Sequence, residues 1–205
     1  SDIRAEYDAW FAYVNEIADP ETFKTDVLSY FLELEQQEET TLPEPVQHYI
    51  MQARRKGYGT KEIGDMGENL VHGHECMRTK LAHRQDLIHL IKRIPDHLAV
   101  GYDIQSVESD ERKRYIEVKT TISDQAIRFK QFHLTTDEWV VAEGLAKGYF
   151  VYRLAVSREG ARLFVMQNPV GKYKSDLLRM IPRDGADIEF SDESGVYEEL
   201  LSWED

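Results

Sequence analysis

Asp103, Glu117 and Lys119 stand within the stretch GYDIQSVESDERKRYIEVKTT, Gly101 to Thr121. Two runs of strand-forming residues flank a charged turn there, yet the charges sit on the runs as well as in the turn. Side chains alternate between faces along a strand. A turn centred on Asp110 places Asp103 opposite Glu117, Gln105 opposite Tyr115 and Gly101 opposite Lys119. The other face then pairs Ile104 with Ile116 and Tyr102 with Val118. One face is apolar and can pack on helices, and the other gathers two carboxylates and an ammonium. Directly opposed carboxylates repel unless a proton or a cation lies between them. Mg²⁺ and similar hard cations are held by one or two carboxylates together with waters and substrate oxygens. A lysine two residues along can orient or deprotonate a water, or stabilise charge on a phosphoryl group. The spacing Asp-x13-Glu-x-Lys therefore suits metal-assisted hydrolysis of a phosphodiester. The bland reading is an exposed sheet face on which a lysine bridges two acids.

The elements that must position these residues come next. The first 56 residues read as helices: Trp10, Phe11, Val14 and Ile17 recur at helical spacing, as do Phe23, Val27, Tyr30, Phe31 and Leu34. Gly57-Tyr58-Gly59 is the best linker. A helix starts near Thr60, with Ile63, Met66, Leu70, Met77 and Leu81 as its apolar stripe. Residues 85–95 read as a short helix or as a helix turning into a strand. After the hairpin, Ile127–Leu134 alternates as a strand and Thr135–Lys147 reads as a helix. GYFVYRLAV and ARLFVMQN form a strand pair around SREG, and VGKYKSDLLRM reads as a last helix. The expected fold class is α/β, a central mixed sheet flanked by helices and preceded by a helical section. The expected division is a helical section over 1–57, a core domain over 58–182 and an acidic tail over 183–205.

Composition excludes several classes. No run of 18 apolar residues exists, so no transmembrane helix is expected. The lone Cys76 can make no intrachain disulfide and rules out zinc sites built on several cysteines. A reducing, cytoplasmic location is the default. The chain begins without Met or a signal pattern, which suggests a processed or excised piece of something longer. The net charge of −13 is uneven: the first 50 residues hold 2 basic and 12 acidic side chains, and the last 25 hold 1 and 9. The centre is mildly basic and can approach a polyanion.

The motifs carry a resemblance. GYDI followed by YIEVKTT resembles the Asp…Glu-x-Lys signature of the PD-(D/E)XK nuclease superfamily. MGENLV (Met66–Val71), HRQDL (His83–Leu87), GYDIQS, YIEVKTT, FHLTTDEW (Phe132–Trp139) and GYFVYRL (Gly148–Leu154) occur in the order of the NO VEIN C-terminal domain family, a domain of unknown function often attached to helicase or restriction-like proteins. The resemblance covers roughly residues 60 to 157. It implies a restriction-endonuclease-like core, with Asp103 and Glu117 as metal ligands, Lys119 as the catalytic lysine and Glu68 completing the site. It departs from the family at Pro95–Val100, where relatives are often Gly-rich.

Further candidates are weighed beside these. Thr135-x-x-Glu138 is a capping box, and Glu138 is also a candidate for site support. Gln105 shares the face of Asp103 and is a candidate contact to water or phosphate. Arg112, Lys113 and Arg114 end the hairpin turn and are candidate phosphate contacts. His72, His74 and Cys76 lack a second pair at metal spacing, so zinc is not expected. No phosphate-binding loop is present. The leading expectation is a Mg²⁺- or Mn²⁺-dependent endonuclease acting on nucleic acid, DNA by resemblance, in a restriction or anti-phage system. Its expected partners are a helicase or other defence subunit, or a second copy of the chain. The alternative is an inactive nuclease-like module that binds nucleic acid or a partner protein. A third reading is an interaction module whose acidic ends mimic or repel DNA.

Overall fold

The computed structural model of the chain describes residues 60–122, 129–157 and 160–203. The helices expected over the first 56 residues lie outside the described residues.

A long helix, α1 (Thr60–Leu81), opens the described fold. A short 3-10 helix at Gln85–Leu90 leads into β1 (Lys92–Arg93), so residues 85–95 are a helical turn that becomes a strand. Then come β2 (Ile104–Val107), β3 (Lys113–Ile122), β4 (Gln131–Leu134) and α2 (Thr136–Leu145). β5 (Tyr149–Ser157), β6 (Gly160–Gln167), α3 (Pro169–Lys174), β7 (Leu178–Pro182), β8 (Ala186–Phe190) and β9 (Val196–Glu198) complete it. The expected α/β class is what the structure has. The main sheet is mixed, in the order β1-β2-β3-β5-β6-β9, with β3 and β5 parallel and the other pairs antiparallel. A second, antiparallel sheet has the order β4-β8-β7.

Alternation along β3 decides which layer each residue meets. Ile116 and Val118 are buried on the face that α1 covers, with Ile104 beside them. Gly67 marks the closest approach of helix to strand. A Cβ there would lie 1.7 Å from Thr120 Oγ1 and 2.7 Å from its Cβ. Gly→Ala inside a helix normally gains about 1 kcal/mol, but overpacking of this kind costs about 1–3 kcal/mol. Gly67→Ala is thus expected to lower the urea midpoint, and Thr120→Ala to recover part of the loss.

The opposite face of the main sheet holds the larger apolar core. Tyr149, Val151, Phe164 and Met166 pack there against Leu134, Ile188 and Phe190 of the second sheet and against Ala142 and Trp139 of α2. Arg153, buried on β5, ties the layers together by donating to the carbonyls of Phe129, Gln131 and Lys119. Burial pulls its guanidinium down to about 10.

Two segments depart from the sequence expectations. The last helix ends at Lys174, and Leu178–Pro182 is the strand β7. The acidic stretch after Pro182 supplies β8, the middle strand of the second sheet, and β9, an edge of the main one. Its burial alternates: Ala186, Ile188 and Phe190 point inward, Asp187 and Glu189 less so. Among the described residues, no helix is long and apolar enough to cross a membrane.

Candidate functional site

The hairpin register is the one the spacing predicts: Ile104 pairs with Ile116 and Gln105 with Tyr115. The strand pairing stops at Ile104, however, and Asp103 acts from the strand's mouth. Its backbone N–H donates to Ile116 O (2.8 Å), and its carbonyl accepts from Ile94 N (2.8 Å). Its Oδ2 accepts from Val118 N (2.8 Å), so the carboxylate carries the ladder one rung further. Tyr102 does not face Val118 as expected. It packs on Tyr115, ring centroids 5.0 Å apart, because the chain turns at Gly101. Gly101 has φ +85, and a Cβ there would lie 2.7 Å from Val141 Cγ2. Both the backbone conformation and the space require glycine.

Glu117 and Lys119 share the β3 face that looks toward α2. Glu117 is buried at 5% exposure. Lys119 Nζ lies 3.0 Å from Glu117 Oε1 and 2.9 Å from Glu138 Oε2. The Thr135–Glu138 capping box is present as the motif suggested, so Glu138 is both a helix cap and a partner of the lysine. Tyr149, which the sequence reading did not single out, lies fully buried beside these groups. Its hydroxyl donates to Gly101 O (2.8 Å) and so holds the turn that presents Asp103. Nothing in the GYFVY pattern separates this tyrosine from its neighbours, since only the fold brings it to Gly101.

The charges in this region are unevenly compensated. Burial, followed by the charges of Asp103 and Glu138, pushes Glu117 well above the usual carboxylate range despite Lys119. Burial raises Asp103 as well, against the Val118 N–H and Lys119, and Glu138 and Asp96 add to the rise. Burial would lower Lys119, but Glu117 and Glu138 outweigh it and raise the ammonium. Burial and then the charges of Glu117, Glu138 and Asp103 raise the Tyr149 phenol far above normal.

Glu68, on α1, is placed somewhat differently from the expectation. Its Oε2 meets Arg93 Nη2 at 2.5 Å. Carboxylate oxygens of Asp65, Glu68 and Asp96 lie within 4.8 Å of one another, and neither Asp65 nor Asp96 was foreseen. Glu68 still feels Asp103: burial, then that charge, push its carboxyl up to about 7, against the pull of Arg93. An acid whose folded value exceeds its unfolded one stabilises the fold at low pH and loses that contribution as pH rises. For Glu68 the window runs from 4.5 to about 7. Glu68→Gln is therefore expected to gain stability relative to the parent between pH 5 and pH 8 in EDTA. Thermal midpoints of both proteins at the two pH values check this, and an unchanged difference would refute it.

The turn residues separate into two groups. Arg112, paired with Asp110 at 2.7 Å, and Lys113 are exposed. They stand roughly 17 Å and 13 Å from Glu117 along the strand. Arg114 is not available to substrate as expected. Even-numbered β3 residues face α1, so Arg114 is buried there. It donates to Tyr152 Oη and Glu108 at 2.5 Å each. Gln105 is half-buried, between Lys92 and Tyr115 in register. His72 bonds Ile91 O (3.2 Å), and burial pushes the Cys76 thiol up to about 11, which suits a packed helix face.

Among the described residues, the three carboxylates whose oxygens lie within 4.8 Å of one another are those of Asp65, Glu68 and Asp96, and Asp103 and Glu117 stand outside that group. Asp103, Glu117 and Glu68 offer carboxylate oxygens, the ligands that hard divalent cations take. Glu138, Asp65 and Asp96 add negative charge that Lys119 and Arg93 do not balance.

The described fold is thus an α/β domain with a partly buried acidic site at one strand mouth of a mixed sheet. Residues 67–166 match the family described as Protein NO VEIN, C-terminal, which supports the family that the motifs resemble. The match runs from the helix–strand contact at Gly67 to the end region of β6 and includes every carboxylate of the site except Asp65. Searches of the curated proteins and of the solved structures gave no match.

Proposed function

We propose that this domain is a metal-dependent nuclease that hydrolyses phosphodiester bonds, with a PD-(D/E)XK, restriction-endonuclease-like core. One observation carries the reading: Glu117 is buried with Lys119 against it, and the Asp103 carboxylate is fixed at the adjoining strand mouth. Burying like charges together is costly, and a site that must hold a cation is a physical reason to retain them.

Asp103 and Glu117, with Glu68 from α1, are the residues that would hold Mg²⁺ or Mn²⁺. When bound, such an ion supplies Lewis-acid stabilisation of phosphoryl oxygens and a water of lowered pKa. Lys119 presents its ammonium beside Glu117, where it offsets negative charge developing on the phosphoryl group. The Val118 N–H occupies one oxygen of Asp103 and thereby sets the direction of the other. Gln105, Arg112 and Lys113 remain candidate contacts to the flanking backbone phosphates. DNA as substrate, a restriction or anti-phage role, and a helicase or second copy as partner rest on the resemblance.

A panel of supercoiled, linear and single-stranded DNA and RNA, incubated with Mg²⁺, Mn²⁺ or EDTA, tests the reading. Cleavage is expected with metal and absent in EDTA. The second reading, a module that binds without cutting, has the double ion pair of Lys119 on its side, because that ammonium already pairs with Glu117 and Glu138 without a metal ion. It predicts binding to the panel and no cleavage.

A further inference from the structure

We infer that Glu138 is a positioning residue of the site, which holds the Lys119 ammonium against Glu117, and that the capping box of α2 is the device that places it. The effect on cleavage rests on the nuclease reading, whereas the positioning itself does not.

A lysine side chain has four flexible carbons and keeps no fixed place without partners. Lys119 has two, one on its own strand and one on the start of α2. Glu138 Oε2 accepts from Lys119 Nζ and from Thr135 N, both at 2.9 Å. Glu138 N in turn donates to Thr135 Oγ1 (3.2 Å). The cap therefore fixes the glutamate rotamer, and the glutamate fixes the lysine. An ordinary cap leaves its carboxylate to solvent, but the Glu138 side chain is 17% exposed and the Lys119 side chain 20%. On the same helix, Glu143 pairs with Lys174 in the open, both more than half exposed. Among the described residues that pair has no hydrogen bond or ion pair to a site residue, and it serves as the internal control.

Two variants separate the cap from the positioning role. Glutamine serves a capping box as glutamate does, so Glu138→Gln keeps the helix start and removes the negative charge that faces Lys119. Thr135→Ala removes the cap hydroxyl that holds Glu138 N but keeps the residue-135 N–H that fixes Glu138 Oε2, and with it the ion pair. Reductive methylation of each lysine, followed by peptide mass spectrometry, reads how firmly Lys119 is held. Glu138→Gln is expected to raise the Lys119 labelling rate roughly fivefold, with Lys174 and the thermal midpoint unchanged. Thr135→Ala is expected to lower the midpoint while Lys119 labels at the parental rate. With a cleaved substrate in hand, Glu138→Gln is expected to lower kcat roughly tenfold at similar KM. A Lys119 labelling rate unchanged in Glu138→Gln overturns the inference, and so does a parental kcat. A parent protein that cuts nothing sinks the nuclease reading alone, and the labelling result still decides whether Glu138 holds the lysine.

Discussion

Glu117→Ala is expected to abolish metal-dependent cleavage, and Glu117→Gln is expected to do the same while leaving the protein at least as stable as the parent. Loss of a group that serves metal-assisted phosphoryl chemistry costs several kcal/mol of transition-state stabilisation, which is roughly a 10³-fold loss of rate or more. The stability side has a separate cause. Glu117 is 5% exposed, and burial with the charges of Asp103 and Glu138 opposes its ionisation. Lys119 is its one ion-pair partner among the described residues, and Glu138 competes for that lysine. A neutral amide of the same shape removes the repulsion and leaves no cavity. Denaturation midpoints and single-turnover cleavage measured on the same samples check both halves. A glutamine variant that loses stability along with activity would make Glu117 a structural residue.

Glu75→Ala is expected to have the largest effect on folding. Glu75 is fully buried on α1, yet three elements reach it. Arg78 donates to it twice (2.9 and 3.0 Å), Ser106 Oγ once (2.8 Å), and Arg114 Nη1 lies 3.9 Å away. Arg78 also donates to Val107 O (2.7 Å), and the Arg114 guanidinium lies 4.2 Å above the Phe150 ring. Burial would raise the Glu75 carboxyl, but Arg78 and then Arg114 outweigh it and hold the group below its usual range. Removing one member of a buried charge network typically costs about 3–5 kcal/mol, because the remaining charges stay buried. That is a large part of the 5–15 kcal/mol typical of a domain. Chemical denaturation measures it, and a loss under about 1 kcal/mol would contradict the role given to the network. Because the folded value is depressed, this stabilisation is present above the unfolded value of 4.5 and fades as pH falls through the folded one. Glu75 and Glu68 thus act with opposite pH signs from the same helix. The network also has a bearing on the site: it locks α1, the helix that carries Glu68, to β2 and β3.

The hairpin was legible in the sequence because period-two alternation and a short charged turn leave one sensible register. That register put Ile104 against Ile116, and it also set the face on which Glu117 and Lys119 lie. The same alternation placed Arg114 with Ile116 and Val118, so its burial was readable although its charge suggested substrate. Apolar periodicity read α1 and its buried Met66 and Leu70, but not the helix's later turns. It counted Met77 and Leu81, yet Leu81 is exposed and the buried side carries His74, Glu75 and Thr79. A polar face satisfied by partners distant in sequence leaves no hydrophobic signal. In the acidic end of the chain, net charge hid a five-residue alternation, Ala186 to Phe190, that forms a central strand. Tyr149, Asp65 and Asp96 join the site only through the way β1, β5 and α1 converge, which no local pattern encodes. Pairing ends at Ile104 because Gly101 turns the chain, and a glycine in that sequence context does not announce its φ.

The central claim is that the carboxylates at the mouth of β2 and on β3 hold a divalent cation. Calorimetric titration of Mn²⁺ into the parent protein and into Glu117→Gln, with folding of both confirmed, tests it most directly. The expected result is saturable binding by the parent that weakens at least tenfold in the variant. Equal binding by the two proteins, or none by either, would contradict it.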